Sequence, residues 1–243
     1  MKILAIDSGN TRVKWGIWDG ATWTRLGAVG HDELDKLRET LAGLPVPERI
    51  VGANVAGIGV ARQIEAACAG LATPIGWARP RVEQCGVSNG YTDPGQLGVD
   101  RWPALIGAWH RQHGACLVVG AGTATTIDIL SDRGEFRGGV ILPGLALMKR
   151  SLAENTARLP LAQGAYAQEP RSTADAIETG VLHAQAGAIE RLFAQSFHGD
   201  QGAAMCLISG GAAALVAACL AIPHRQVDHL VLDGLARIAE SLT

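Results

Sequence analysis

Within a short stretch, Asp7-Ser8-Gly9-Asn10-Thr11-Arg12-Val13-Lys14 brings together a carboxylate, a glycine, small polar side chains and two cations. Asp7 can hold a cation through water, Asn10 and Thr11 offer neutral donors, and Lys14 adds positive charge. Gly9 lets the backbone approach an anion closely. That set suits a grip on a metal–nucleotide phosphate tail, and it does so without a G-x-x-x-x-G-K-[ST] loop. The pattern recurs. Apolar Cys116-Leu117-Val118-Val119 leads into Gly120-Ala121-Gly122-Thr123-Ala124-Thr125, and aligning Asp7 with Gly120 sets Gly9 on Gly122. One such turn reads more simply as an ordinary hairpin between apolar runs. Two at equivalent points point to a duplicated domain that clamps a nucleotide between its halves.

A second polar cluster is Tyr91-Thr92-Asp93-Pro94-Gly95-Gln96-Leu97-Gly98-Val99-Asp100-Arg101-Trp102. Asp100 reads locally as the N-cap of a helix with Pro103 in its first turn. The density of polar groups supports a second reading. An Asp at a helix start can accept a substrate hydroxyl proton, and Arg101 can bind a carboxylate or phosphate in bidentate fashion. Gly138-Gly139-Val140-Ile141-Leu142-Pro143-Gly144 ends a strand and opens a helix, its glycines serving close packing or forming a wall of the cleft. Ser209-Gly210-Gly211 is a packing turn or a flat surface for an adenine or ribose. Ser172-Thr173-Ala174-Asp175 reads as a helix cap with an acidic first turn, and Thr173 can present its hydroxyl to a ligand. The seven histidines include no H-x-x-x-H, no cysteine–histidine set has zinc spacing, and there is no G-x-S-x-G elbow.

These groups need a scaffold. Residues 2–28 read as a three-stranded meander with Asp19-Gly20 at its second turn. Leu34, Leu37, Leu41 and Leu44 recur at helical spacing, with Asp32 as a cap and Pro45 and Pro47 as the stop. Then come a strand at Ile50–Val55, a helix at Val60–Leu71, a short strand at Pro74–Ala78, a loop, and a helix at Trp102–His113. The second half repeats the order: strands at Cys116–Val119, Thr125–Leu130 and Phe136–Leu142, helices at 144–158 and 173–197, and a strand at Cys206–Ser209. Helices at Ala212–Ala221 and Asp228–Leu242 close the chain. The expected fold class is α/β with two similar lobes, 1–113 carrying the phosphate and substrate loops and 114–243 carrying the second phosphate turn.

The chain of 243 residues has 48% hydrophobic and 18% charged side chains, a globular composition that buries about 70% of its unfolded surface without staples. Net charge is −2 with dispersed basic residues, so neither a nucleic-acid footprint nor a membrane-surface patch is expected. Five cysteines, odd in number and without C-x-x-C spacing, fit a reducing cytoplasm, with Cys116 and Cys206 as small buried hydrophobes. The apolar run before Asp7 is too short for a signal peptide, and the tract Cys206–Ile222 falls short of the roughly 20 residues of a membrane span.

Four motifs together, Asp7 to Lys14, Leu97 to Trp102, Gly122-Thr123-Ala124-Thr125-Thr126-Ile127-Asp128 and Gly138-Gly139-x-Ile141-x-Pro143-Gly144, closely resemble type III pantothenate kinases, also described as accessory factors of a virulence regulator. The resemblance runs to at least Thr179-Gly180. It implies the two-lobed fold of acetate kinase, sugar kinases, Hsp70 and actin, a ribonuclease H-like fold, with ATP in the cleft. It also implies ATP-dependent phosphorylation of pantothenate, the first step of coenzyme A synthesis. By motif, Asp7, Ser8, Gly9, Asn10, Thr11, Arg12, Val13 and Lys14 form the nucleotide-phosphate loop, Asp7 is the metal residue, and Thr123 is a second ATP contact. Asp100 accepts the proton of the pantothenate hydroxyl, and Tyr91, Gly98, Val99, Arg101 and Thr173 are substrate contacts. The implied cofactors are magnesium with ATP and a potassium or ammonium ion, and the implied assembly is a homodimer with the substrate pocket near its interface. In one respect the chain departs from the pattern. Many members carry an acidic residue for the monovalent cation where this chain has Gly120, which supplies no carboxylate. Other readings are another small-molecule kinase on the same fold, or a non-catalytic nucleotide-binding regulatory protein.

Overall fold

The apolar run at the N-terminus forms β1 (Ile3–Ser8), the middle of a sheet, and Ile3 to Ile6 are wholly buried. It pairs antiparallel with β2 (Arg12–Trp18), which pairs antiparallel with β3 (Trp23–Gly30). After a 3₁₀ turn at His31–Glu33 come α1 (Leu34–Ala42), β4 (Arg49–Asn54), α2 (Ile58–Cys68) and β5 (Ile75–Trp77), with β4 parallel to β1 and β5 parallel to β4. The sheet order is β3-β2-β1-β4-β5. A tight hairpin, β6 (Glu83–Gln84) and β7 (Val87–Asn89), and α3 (Arg101–Gln112) follow. The computed structural model describes residues 1–43, 46–157, 159, 161, 163–198 and 204–242.

The second half opens with β8 (Cys116–Ala121), β9 (Ala124–Leu130) and β10 (Glu135–Pro143), then α4 (Leu145–Asn155), α5 (Thr173–Ser196), β11 (Met205–Ser209), α6 (Ala213–Ala217) and β12 (His224–Gln226). Here five strands of a seven-stranded sheet, which β7 and β6 extend beyond β10, run β10-β9-β8-β11-β12, with β11 parallel to β8 and β12 parallel to β11. The strand order of the first half is thus repeated strand for strand. The last helix is α7 (Leu230–Glu240).

Contacts divide the chain into two units, one of Met1–Arg111, Gly134–Phe136 and His229–Thr243, the other of Gln112–Arg133 and Arg137–Asp228. In the first, Leu4, Ile6, Val13, Trp15 and Ile17 pack against Leu34, Leu37 and Leu41 of α1 and Ile64 of α2. Fully burying each such side chain contributes roughly 1.5–3 kcal/mol. In the second, Leu117, Val119 and Ile127 pack against Val181, Ile189 and Phe193 of α5 and Val216 of α6.

Several expectations shift. Helix α7 was expected with residues 114–243 but packs on β1 and β4 of the first unit. It is bolted to the β2–β3 hairpin: the indole N–H groups of Trp18 and Trp23 donate to Glu240 and Asp233 at 2.7 and 2.8 Å. Asp32 does not cap α1, whose N-cap is Glu33 without a side-chain bond, because the 3₁₀ turn comes first. Leu44 and Pro45 lie outside the described residues. The segment read as one loop contains β6 and β7, joined through Cys85 and Gly86, both at positive φ. Strand β12 was not expected, and α6 is shorter than Ala212–Ala221. Ser172 caps α5 as expected, accepting the Asp175 backbone N–H. Among the described residues no helix is long and apolar enough to cross a membrane.

Candidate active site

Asp7 is the penultimate residue of β1, directly opposite Lys14 on β2, so the two side chains share a face of the sheet. Its carboxyl is pushed up to about 6, mainly because burial strips it of water. Lys14 opposes that rise and the negative charge of Asp100 adds to it. Asp100 therefore lies within electrostatic reach of Asp7, which joins the two sequence clusters in one place. Ser8 is buried and its hydroxyl has no protein partner. In the turn that follows, the Gly9 N–H donates to the Arg12 carbonyl at 3.1 Å. Asn10, Thr11 and Arg12 are exposed there, whereas Val13 belongs to the core. Gly9 does not adopt positive φ, and a Cβ on it would meet only the Arg12 carbonyl, at 3.5 Å.

Asp100 stands at the mouth of α3. Its backbone carbonyl accepts from Ala104 and its Oδ1 accepts the Arg101 N–H at 2.9 Å, so the local helix-start reading holds. The Gly98 carbonyl accepts the N–H groups of Arg101 and Trp102. A Cβ on Gly98 would lie 2.9 Å from Asp100 Oδ1, so glycine here leaves room for the carboxylate. Arg101 is buried, donates to the Tyr91 hydroxyl at 3.3 Å, and lies 5.8 and 5.7 Å from the ring centres of Tyr91 and Phe136. A guanidinium packed beside two aromatic rings is fixed in place and can bind a carboxylate or phosphate. Trp102 anchors the turn from beneath by donating to Gln84 of β6. Helix α3 is itself fixed by α7, because Gly234 lies directly on the Pro103 carbonyl and Gly107 on the Leu230 carbonyl.

In the second unit the turn between β8 and β9 sits at the corresponding place but is one residue shorter. The Gly122 N–H donates to the Ala124 carbonyl, two residues on, at 3.1 Å, where Gly9 reaches Arg12, three residues on, and Gly120 occupies the strand position of Asp7. Thr123 is exposed in this turn, and its carbonyl accepts the Gly144 N–H at 2.9 Å. Gly144 is the close-packing glycine of its motif, since a Cβ would strike the Gly122 carbonyl, whereas Gly138 and Gly139 lie inside β10. Gly210, at positive φ, crosses the Ala121 carbonyl at the end of β8, which fits the packing-turn reading. Thr173 opens α5 and lines an apolar cavity of about 710 Å³ with Leu147, Met148, Leu152, Ile177 and Val181. Among the described residues no three His, Cys, Asp or Glu side chains cluster as a metal cage.

Residues 3–195 match the family model described as type III pantothenate kinase. The chain belongs to the type III pantothenate kinases. It is 52% identical over 237 residues to the type III pantothenate kinase of Aromatoleum aromaticum, covering 98% of this chain and 97% of the relative. As a member of this family it is an ATP-using phosphotransferase that acts on pantothenate in coenzyme A biosynthesis. Two solved structures share the fold at low identity. The ethanolamine utilization protein EutJ of Carboxydothermus hydrogenoformans has a TM-score of 0.55 at 14% identity, covering 98% of this chain and 90% of that one. A Listeria monocytogenes protein described as an N-acetylmannosamine kinase has a TM-score of 0.51 at 16% identity over the whole of both chains. The fold of this pantothenate kinase is the α/β architecture of sugar kinases and actin-like ATPases.

Sequence reasoning missed Phe136, which joins Tyr91 beside Arg101 although it lies on a different strand, and His31, whose ring reaches the first turn. Neither residue belongs to a motif, and only the strand pairing of Phe136 with Asn89 brings it to the site.

Proposed function

We propose that Asp100 accepts the proton of the pantothenate hydroxyl as that oxygen attacks the terminal phosphate of ATP. The observation that carries this reading is the convergence of Asp100, at the start of α3, with Asp7, at the end of β1, close enough for each charge to feel the other. Phosphoryl transfer needs positioning and charge neutralisation more than covalent help. A carboxylate whose own Oδ1 is held by the Arg101 N–H is oriented for that task. Arg101, buried against Tyr91 and Phe136, suits the carboxylate end of pantothenate, which fixes the distance from that end to the hydroxyl. The turn at Gly9 offers small polar donors to the phosphates, and Lys14 offers a charge.

The residues fit magnesium. A single carboxylate, Asp7, with water and substrate phosphates is the usual protein contribution to such a site, and the ion neutralises phosphate charge when bound. They do not fit the monovalent cation in the same way. Gly120 brings no ligand, and the space a side chain would need is met by Thr126 Oγ1 at 2.9 Å from the Cβ position. We expect turnover without potassium. A homodimer is supported by the apolar cavity between α4 and α5, with Ile141 at the end of β10 62% exposed. Thr173 on that cavity would then serve substrate near the dimer interface.

The test is Asp100→Asn. Its kcat should fall at least a thousandfold, on the order of the loss expected for a missing general base, while ATP binding stays within twofold. Near-normal kcat in a folded Asp100→Asn variant would remove Asp100 from this role.

A further inference from the structure

The first turn is pinned by a side chain that lies outside every motif. His31 Nε2 is 2.9 Å from the Gly9 carbonyl oxygen. A carbonyl only accepts, so Nε2 carries the hydrogen and donates, as it can in the imidazolium and in one neutral tautomer. His31 is the residue immediately after β3. In the second unit the residue immediately after the third strand, Gly144, donates its backbone N–H to the Thr123 carbonyl of the corresponding turn at 2.9 Å. Both turns are thus held at a carbonyl, Gly9 in one and Thr123 in the other, by the residue that follows the third strand. One pin is backbone and the other is an imidazole.

We infer that His31 is a positioning residue for nucleotide binding: by holding the Gly9 carbonyl it fixes the turn so that its N–H groups and polar side chains face the phosphates. This rests on the reading of the Gly9 turn as the phosphate loop. The Gly9 N–H to Arg12 bond closes the turn, and Asn10, Thr11 and Arg12 at its tip are exposed. His31 itself is held at the foot of the 3₁₀ turn that precedes α1, whose Leu34, Leu37 and Leu41 are buried in the core. The pin therefore ties the turn to a rigid element.

The experiment compares the KM values for ATP and pantothenate in His31→Leu, which cannot donate, and His31→Gln, whose Nε2 can. In His31→Leu the KM for ATP should rise about tenfold, the effect of one hydrogen bond, with the KM for pantothenate within twofold. His31→Gln should return the ATP value to within about twofold of the parent. A role confined to stability would lower the melting temperature and leave the two KM values moving together. Should His31→Leu fail to fold, His31→Ser, polar but too short to reach Gly9, takes its place under the same criteria. An unchanged KM for ATP, an equal rise in both KM values, or no rescue by glutamine overturns the assignment. Lys14→Ala runs in parallel: if it leaves the KM for ATP unchanged, the reading of the turn itself fails, whereas a rise there without one in His31→Leu removes His31 alone.

Discussion

At Gly9 the requirements of folding and of binding separate cleanly. The residue does not use positive φ, and a Cβ would touch only the Arg12 carbonyl at an ordinary distance. Nothing in the packing demands glycine, so the demand comes from what lies outside the turn. Gly9→Ala should melt within about 2 °C of the parent, as expected for a change near zero in stability, yet raise the KM for ATP severalfold. A thermal melt beside an ATP titration checks both halves. Asp7 shows the opposite conflict. Burial lifts its folded-state pKa from 3.8 to about 6, so the folded protein holds this proton more tightly than the unfolded chain. The favourable contribution is whole below about pH 4 and is lost as pH rises through about 6, leaving a cost of roughly 2–3 kcal/mol at neutral pH. Asp7→Asn should therefore be more stable than the parent at pH 8, with the difference shrinking toward pH 4, while its activity is lost. In the parent, kcat/KM should fall as pH drops below about 6, when the protonated carboxyl no longer holds a cation. Chemical melts at pH 4 and 8 and a pH–rate profile measure these outcomes.

Helix α7 does its work at the scale of elements. Its Gly234 lies on the Pro103 carbonyl in the first turn of α3, two residues from Arg101 and three from Asp100. Gly234→Ala must push the helices apart, which costs about 1–3 kcal/mol by overpacking and displaces the start of α3. The melting temperature should fall by several degrees and kcat should fall with it, whereas alanine at Gly70, where a Cβ meets nothing, should change neither. Equal kcat in the two variants would separate α7 from the site. This coupling also marks the limit of what the sequence displays. The core strands and α1 were legible because burial imposes periods of two and of three to four on the apolar residues. The turns were legible because Asp19-Gly20 and Gly9 carry local chemistry. The hairpin of β6 and β7 was not, since two residues of β6 hold no alternation to read. The contact of Gly234 with Pro103, the bond from His31 to Gly9 and the packing of Phe136 on Tyr91 were equally hidden, because each joins residues far apart in the chain with at least one end outside every motif.

For the whole molecule, the repetition of one strand order explains why two glycine turns exist at all: each sits at the same loop, after the first strand of the repeated five-strand order. The copies have diverged where chemistry differs. Asp7 became or remained acidic while its counterpart is Gly120, and the turn is pinned by an imidazole in one and an amide in the other. The cysteines take no part. Burial pushes Cys116 and Cys206 up to about 12 and Cys68 to about 11, which leaves them as thiols packed in the cores, as the apolar runs around Cys116 and Cys206 suggested. Family membership names the reaction. The most direct measurement is ADP release with ATP and magnesium, offered pantothenate, a sugar panel or acetate, each with and without potassium. ADP release should depend on pantothenate alone and change less than about twofold with potassium. Release driven by a sugar or acetate, or ATP binding without any pantothenate-dependent turnover, would contradict the account.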